Sequence, residues 1–227
     1  MVYVSKRKKE FEKAADRNKV VSLDEAMVSL AKFPKVKFDE TIELHFHLNI
    51  DLKATEQSVR GTVVLPHGTG KSVRIAVFCK GEQAQKARDL GVECVGGDDL
   101  IDKVSKGFMD FDCVVATPDM MKDLSKLGRV LGPRGLMPSP KSGTVTMDVA
   151  KAIQDVRAGK VEFKSDKQGG IHVGIGKRSF AKEKLVANAR YLIDAVDHAK
   201  PAAVKGNFIK SLFVATTMGP SARVVTS

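Results

Sequence analysis

The sequence predicts a two-domain chain of mixed α+β and α/β class, in which a split antiparallel α+β domain is interrupted by an inserted α/β domain. From Ser72 to Ala158, short apolar runs alternate with helical segments, a pattern typical of a parallel sheet covered on both faces. Before and after this stretch, apolar and polar residues alternate, which indicates antiparallel strands with one solvated face. We therefore expect residues 1–67 plus 160–227 to form the split domain and residues 68–159 to form the insert.

The first flank contributes a helix and a strand. Ser22 and Glu25 have the spacing of a capping box, and the helix that they begin should end near Pro34. Its buried face is predicted to contain Leu23, Met27, Leu30 and Ala31. The strand follows at residues 42–50, and its buried face is predicted to contain Ile42, Leu44, Phe46, Leu48 and Ile50.

Two histidines, His45 and His47, share the polar face of this strand. Such a spacing can chelate a metal ion, but a metal site needs further ligands, and the neighbouring sequence offers no third one. An exposed pair that faces solvent or RNA is the favoured interpretation, and no metal is expected.

The insert reads as alternating strands and helices. Apolar runs predict strands at residues 73–79, 92–95 and 113–116, and helical periodicity predicts helices at residues 82–90, 98–106, 119–127 and 147–158. Gly91 is suited to end the first of these helices. The last helix should bury one face, which consists of Val149, Ala152, Ile153 and Val156.

Residues 126–141 concentrate glycine, proline and cationic side chains. Proline fixes φ and lacks a backbone donor, whereas glycine allows turns that other residues resist, so we expect a long, shaped loop. It would present Arg129, Arg134 and Lys141 to an anionic polymer. An ordinary surface loop is the alternative that composition alone supports.

The second flank returns to the pattern of the first. Strands are predicted at residues 160–164, 171–175, 208–215 and 223–225, and a helix at residues 181–197 should bury Leu185, Ala189, Leu192, Ile193 and Val196. Neither flank has a convincing core alone, which is why we combine them into one domain. The chain would cross between the domains near His67, Gly68 and Gly159, and two adjacent crossings make a hinge.

The charge of the chain points to a polyanionic partner. The 227 residues carry a net charge of +11, with a pI near 9.6. Residues 68–159 hold 14 Lys and Arg against 12 Asp and Glu, so nearly all of the excess lies in the flanks. No apolar run approaches the roughly 20 residues that span a bilayer, so no membrane association is expected.

The three cysteines lie in apolar, strand-like runs and form no CxxC pair. Reduced core thiols are therefore favoured over disulfides, which indicates a cytoplasmic protein.

Catalysis is disfavoured, because no nucleophile is paired with a base and no cofactor motif is complete. The segment 68–72 resembles the end of a P-loop, but Leu65 stands where the motif needs glycine, and a strand follows instead of a helix. The alternative hypothesis is a nucleotide-using enzyme built on the insert. There, residues 80–82 read Lys-Gly-Glu, which places an acid where a phosphate would bind.

The segment 216–223 follows a strand and contains mainly small and polar residues. Its hydroxyls and amides suit contact with phosphate oxygens and 2′-OH groups. With no Trp and two Tyr, stacking on single-stranded bases would be weak, so recognition of folded RNA by shape and backbone fits better. A polar loop without a partner is the alternative. The basic run at residues 6–9 suits a solvated helix face or a nonspecific phosphate contact.

Several motifs together resemble the large-subunit ribosomal protein L-one family, also called the universal stalk protein. The resemblance covers the chain from about residue 20 to the C-terminus. Its most specific motif runs from Leu127-Gly128 through Gly132-Pro133-Arg134-Gly135 to Pro138 and then Gly143-Thr144-Val145. Further matches are found at residues 38–41, 59–63, 65–68, 112–119 and 216–220.

The resemblance implies a split α+β RNA-binding domain with an inserted Rossmann-like three-layer α/β domain. It also implies a noncatalytic protein that is ribosome-bound in the cytoplasm, monomeric when free, and without a cofactor. The implied partners are large-subunit ribosomal RNA at the mobile stalk, transfer RNA leaving the exit site, and the messenger RNA of its own operon, whose translation it represses. The implied RNA-binding residues are Lys37, Phe38, Thr41, Lys167, Ser211, Thr217, Met218 and Gly219. Arg129, Arg134 and Lys141 would be secondary contacts.

Overall fold

The computed structural model describes residues 10–11, 19–51, 57–202, 204 and 206–225. The basic run at residues 6–9 lies outside this part of the chain. The chain divides into two compact units, which we call the outer unit (Met1–Gly70 with Val161–Ser227) and the central unit (Lys71–Lys160). The division falls at 70/71 and 160/161, compared with 67/68 and 159/160 in the sequence-based expectation.

The described residues form strands and helices in the mixed α/β pattern that the sequence predicts. In chain order, the strands are β1 (Val20–Val21), β2 (Thr41–Leu48), β3 (Arg60–Val64), β4 (Ile75–Phe78), β5 (Cys94–Gly96), β6 (Cys113–Ala116), β7 (Lys160–Lys164), β8 (Gly170–Lys177), β9 (Ile209–Thr216) and β10 (Ala222–Val224). The helices are α1 (Leu23–Lys32), α2 (Glu82–Asp89), α3 (Asp98–Ser105), α4 (Met121–Leu124), α5 (Gly128–Leu131), α6 (Val149–Ala158) and α7 (Lys182–His198).

The outer unit is built on a five-stranded sheet with the order β1-β10-β9-β2-β8. The central strand β2 pairs antiparallel with both β8 and β9, as its alternating sequence predicts. The expectation of a wholly antiparallel sheet is wrong at one edge, because β1 pairs parallel with β10, with Val20 opposite Arg223. Two residues are too short to show a period, so this strand left no pattern in the sequence.

Helices α1 and α7 pack against one face of this sheet. The Ser22 side chain accepts a hydrogen bond from the Glu25 N–H, and the Glu25 side chain accepts one from the Ser22 N–H, which confirms the capping box. Helix α1 buries Ala26, Met27 and Leu30, whereas Ala31, predicted on the same face, is exposed. Apolar residues from both helices and from alternate positions of the strands form one core, and none of the described helices covers the other face of the sheet.

Strands β3 and β7 form a separate two-stranded sheet. Strand β7 was predicted, but β3 was not, because Gly61 and Thr62 interrupt its apolar pattern. A Cβ atom at Gly61 would lie 2.6 Å from Cζ of Phe163, so glycine is what allows the two strands to approach closely. The exposed side chains of Arg60 and Glu162 form an ion pair of 2.6 Å across these strands.

The central unit contains a parallel sheet with the order β5-β4-β6. Alternate side chains of β4 enter two different cores, which places helices on both faces in three layers. Ile75 and Val77 pack with α2 and α6, whereas Ala76 and Phe78 pack with α3 and the segment 120–131. All four apolar residues predicted on the last helix of the unit are buried: Val149, Ala152, Ile153 and Val156.

The expectation of a long loop over residues 126–141 is wrong for its first third. A 3-10 turn at Ser125–Leu127 leads directly into α5, and a second 3-10 turn occurs at Pro140–Ser142. Leu124, Leu127 and Leu131 recur at helical spacing and are buried, so the chain coils to place them in the core. Irregular backbone is confined to the proline-rich remainder.

Candidate nucleic-acid interface

The side of the five-stranded sheet that no described helix covers, which we call the open face, carries polar side chains on several strands. On β2 it begins at Thr41 and continues through Glu43, His45 and His47, because every second side chain of a strand points to the same side. The neighbouring strands supply the residues opposite these positions. Ala215, Phe213 and Ser211 lie opposite them on β9, and Gly174, His172 and Gly170 lie opposite them on β8.

Thr41 and Thr217 join β2 to the end of β9 at one edge of the open face. The Thr41 N–H donates to Oγ1 of Thr217 over 3.0 Å, and the Thr217 N–H donates to the Thr41 carbonyl over 3.0 Å. The Thr217 hydroxyl also reaches this carbonyl, at 3.3 Å. Thr217 is exposed, so its hydroxyl stabilises the strand end and still faces outward.

A buried ion pair lies beneath this strand end. Glu40 is 1% exposed and accepts a hydrogen bond from Nη1 of Arg178 at 2.6 Å, and its other oxygen accepts one from the Met218 N–H at 3.1 Å. Arg178 also donates to the carbonyls of Ala31 and Phe33 at the end of α1. Glu40 and Arg178 therefore hold the Met218 loop against the helix. A buried charge that loses its partner is costly, so this pair fixes the loop firmly.

Gly219 occupies a position with no room for a side chain. A Cβ atom there would collide with Oγ1 of Thr216 and would lie 3.5 Å from Cδ2 of Phe33. The Gly219 N–H donates to the Thr216 carbonyl over 3.1 Å, which closes the turn. Among the described residues, the buried Thr216 hydroxyl has no hydrogen-bond partner. We define residues 38–41 and 217–219 as the strand-end cluster.

Two large apolar side chains and two lysines complete this end of the molecule. Phe38 and Met218 are each 53% exposed, which is unusual for side chains of this size and suits a surface that is covered by a partner. Lys37 is exposed just before Phe38. Nζ of Lys177 contacts Oγ1 of Thr41 at 3.1 Å. The sequence analysis did not identify Lys177, because the strand that it predicted there ended at Ile175.

Ser211 and Lys167 lie at the opposite end of the open face. Ser211 is opposite His47, near the end of β2, whereas Thr41 begins that strand, about 20 Å away at the usual rise per residue. Lys167 is exposed in the turn before β8, where the Asp166 side chain accepts from the N–H groups of Gln168 and Gly170. These two bonds lower the pKa of Asp166. The predicted RNA-binding residues therefore span the open face rather than form one cluster.

A histidine pair occupies the middle of the open face, but it is not the pair that the sequence suggested. His45 lies opposite His172 of β8, with 2.8 Å between their Nδ1 atoms. The pKa of His45 is lowered, first by burial of the ring and then by His172. The partner was missed because 127 positions separate the two residues. Among the residues that the structure describes, no three His, Cys, Asp or Glu side chains group together as metal ligands.

The predicted hinge residues have defined surroundings within each unit. In the outer unit, the buried Asn188 side chain accepts from the His67 N–H at 3.1 Å and donates to the Gly68 carbonyl at 2.9 Å. Gly68 has a φ of 64°, and Gly159, which ends α6, has a φ of 101°. Both values lie in the left-handed region, where glycine is the least strained residue. No sequence pattern pointed to Asn188.

The secondary residues and the alternative nucleotide site belong to the central unit. Arg129, Arg134 and Lys141 are all exposed, with Arg129 on α5 instead of a loop. A cleft of about 850 Å³ lies beside the carboxyl ends of β4 and β5. Of its three basic lining residues, Lys80, Arg88 and Lys103, the first is paired with Asp98 at 3.0 Å. Glu93, Asp98 and Asp99 also line the cleft, so its carboxylates equal its basic side chains in number and leave no excess of positive charge for a nucleotide phosphate. In the described part of the chain, no helix has the length and apolar character needed to span a membrane.

Comparison with known proteins identifies close relatives. Residues 30–220 match the ribosomal protein L1p/L10e family. The chain is 51% identical over 220 residues to the large ribosomal subunit protein uL1 of Protochlamydia amoebophila (strain UWE25), with 97% of this chain and 93% of that protein covered. It is 51% identical over 221 residues to uL1 of Thermosipho melanesiensis (97% and 95% covered) and 53% identical over 204 residues to uL1 of Solidesulfovibrio magneticus (90% and 87% covered). These relatives are named as ribosomal proteins, which confirms the prediction that the chain is not an enzyme.

Proposed function

Because the chain belongs to the ribosomal protein L1p/L10e family, we propose that it is a protein of the large ribosomal subunit and binds ribosomal RNA through the open face and the strand-end cluster. The observation that carries this proposal is the exposure of Thr217, Phe38 and Met218 on a rigidly anchored strand end. A hydroxyl beside two apolar side chains suits hydrogen bonds to RNA that are shielded from water.

The proposed RNA target is the mobile stalk of the large subunit, next to the exit-site transfer RNA. Lys37 and Lys167 pair with phosphates, while Ser211, Thr41 and Thr217 make short hydrogen bonds and Gly219 allows close approach of the backbone. Lys177 joins this set on the strength of its contact with Thr41. Arg129, Arg134 and Lys141 make secondary contacts, since the segment 68–159 is nearly neutral and lacks the charge excess of the flanks.

Two further activities follow from this placement. Movement of the stalk with its bound protein assists release of deacylated transfer RNA, and hinge motion at His67, Gly68 and Gly159 accompanies it. The same open face binds the operon messenger RNA and represses its translation, because a folded messenger segment that imitates the stalk offers the same backbone shape. The free protein is a cytoplasmic monomer that becomes ribosome-bound.

A titration of the full-length protein with a folded stalk fragment of large-subunit RNA and with a scrambled hairpin tests the proposal. Across a salt series, we expect tight binding that prefers the stalk fragment and that persists at moderate salt, because hydrogen bonds and shape add to the electrostatic attraction. Equal and steeply salt-dependent binding to both RNAs would refute a specific site and indicate a nonspecific polycation.

A further inference from the structure

The centre of the open face holds two imidazole rings that share a proton. The Nδ1 atoms of His45 and His172 are 2.8 Å apart, and the ring planes are tilted by 56°. At this distance one nitrogen must carry a proton and the other must present a lone pair. One proton therefore lies between the two rings.

The remaining nitrogen of each ring faces a carboxylate. Nε2 of His45 is 3.9 Å from Glu43, and Nε2 of His172 is 3.7 Å from Asp166. Two neutral rings carry two protons in total, and once one proton bridges the rings, only a single Nε2 can be protonated. The other Nε2 would turn its lone pair toward a carboxylate, which is repulsive. A third proton removes this conflict, because both Nε2–H groups then point at carboxylates.

A fourth proton does not fit the geometry. It would place two Nδ1–H groups against each other over 2.8 Å, and the two positive charges would repel. Burial and then His172 lower the pKa of His45, so a positive charge on this ring is opposed in the free protein, and a second charge on the pair is opposed more strongly. The geometry therefore accommodates three protons, with one positive charge shared by the two rings, but not four.

The charged groups around the pair explain why its protonation should affect RNA binding. Glu43 on β2 and Asp166 in the turn before β8 face the pair, and Phe213, opposite His45 on β9, is uncharged. Arg223 on β10 lies opposite Phe213 and is the next cation in this row. While the pair is neutral, the two carboxylates give the centre of the open face a negative charge that repels phosphates. A proton on the pair offsets half of that charge, so bound RNA favours the protonated pair.

We propose that the His45–His172 pair is a proton-linked contact: when RNA binds across the open face, the pair takes up one proton. This inference rests on the proposed function, since it requires RNA on this surface. The complex favours the protonated pair, so its titration lies at higher pH than that of the free protein. The affinity for RNA is therefore greatest below the pKa of the pair in the free protein. It falls as the pH rises from that value to the higher pKa of the pair in the complex. The ordinary pKa of an imidazole is about 6.5, and burial and His172 lower that of His45 in the free protein, so the measurement extends to both sides of pH 6.5.

The test measures binding of a folded stalk fragment of large-subunit RNA to the full-length protein from pH 5.5 to pH 8.0 at constant ionic strength. We expect the dissociation constant to rise about tenfold with pH, the change that corresponds to a shift of about one pKa unit. Calorimetry near pH 7 in buffers of different ionisation enthalpy should show proton uptake on binding. The His45→Gln/His172→Gln double variant should lose both signals. The His198→Gln variant, which changes the last turn of α7, should keep both.

The single variants His45→Gln and His172→Gln keep the test decisive if the double variant unfolds. Each removes the bridge, so each should flatten the pH dependence of binding. Tight binding with the same pH dependence in these variants and in the unmodified chain would overturn the inference and leave the proposed function intact. Absence of preferential binding to the stalk fragment at every pH would overturn both.

Discussion

Thr217 serves the fold and the proposed interface at the same time. Its hydroxyl oxygen accepts from the Thr41 N–H, and its hydroxyl reaches the Thr41 carbonyl at 3.3 Å. That carbonyl already accepts the shorter bond from the Thr217 N–H, so the hydroxyl proton is the one that RNA can redirect. One side chain can therefore donate to RNA without releasing the strand end.

We expect Thr217→Val to weaken RNA binding at least tenfold while the protein stays folded. A hydrogen bond shielded from water is worth about 1–3 kcal/mol, and about 1.4 kcal/mol corresponds to tenfold in affinity. Thr217→Ser is the matched control, because it keeps the hydroxyl. Dissociation constants for the stalk fragment and thermal melting measure the two effects. An unchanged affinity in Thr217→Val would remove this residue from the interface.

Glu40 is predicted to matter through the residues that it holds. Glu40→Gln leaves Arg178 buried without a countercharge, so we expect a loss of about 3–5 kcal/mol in the free energy of unfolding. Glu162→Gln is the control, since its pair with Arg60 is exposed to water and should contribute at most about 1 kcal/mol. Denaturant unfolding of both variants measures the difference. Equal losses would show that the Glu40 pair is solvated.

Contacts between distant residues explain what the sequence could not predict at this scale. The predicted residues Thr41 and Thr217 meet although 176 positions separate them, and the family motif, not the spacing, indicated both. His172, Lys177, Arg178 and Asn188 gave no signal, because an isolated polar residue on a strand or helix is not distinctive until its partner is placed. Glu40 reads as an ordinary loop acid in the sequence and is buried in the structure.

At the scale of elements, periodic patterns predicted well and short or irregular segments did not. Helix α6 and strand β2 were predicted nearly to their observed ends, because each repeats its apolar spacing several times. Strand β1 has two residues and β3 contains a glycine, so neither offers a period. Over residues 126–131, glycine content suggested a loop, but burial of Leu127 and Leu131 outweighed it and the chain became helical.

Because this segment is helical, substitutions on its buried and exposed sides should change the free energy of unfolding by different amounts. Leu131→Ala removes a fully buried side chain and should lower the free energy of unfolding by about 2–5 kcal/mol. Arg129→Ala, on the exposed side of the same helix, should change it by no more than about 0.5 kcal/mol. Denaturant unfolding monitored by circular dichroism measures both. Small effects at both positions would favour the loop that composition suggested.

For the whole molecule, the excess of positive charge is concentrated in one of the two units. The flanks carry nearly all of the positive excess, and the open face lies in the outer unit that they form. This uneven distribution of charge could be predicted from the sequence, because counting charges requires no structure. The course of the open face across β8, β2 and β9 was not, since it depends on strand order.

The division predicts that the central unit contributes little to RNA specificity. Replacing Arg129, Arg134 and Lys141 together with alanine should reduce the salt dependence of binding slightly and weaken affinity for the stalk fragment by less than about tenfold. The preference over a scrambled hairpin should persist. A loss of that preference would place sequence or shape recognition in the central unit.

Hydrogen exchange of the full-length protein, measured by mass spectrometry with and without the folded stalk fragment, tests the location of the RNA surface most directly. We expect RNA to slow exchange in the segments 37–41 and 217–219 and in the turn around Lys167, while residues 126–141 change little. Protection confined to residues 126–141, with the strand-end cluster unaffected, would contradict the assignment of RNA binding to the open face.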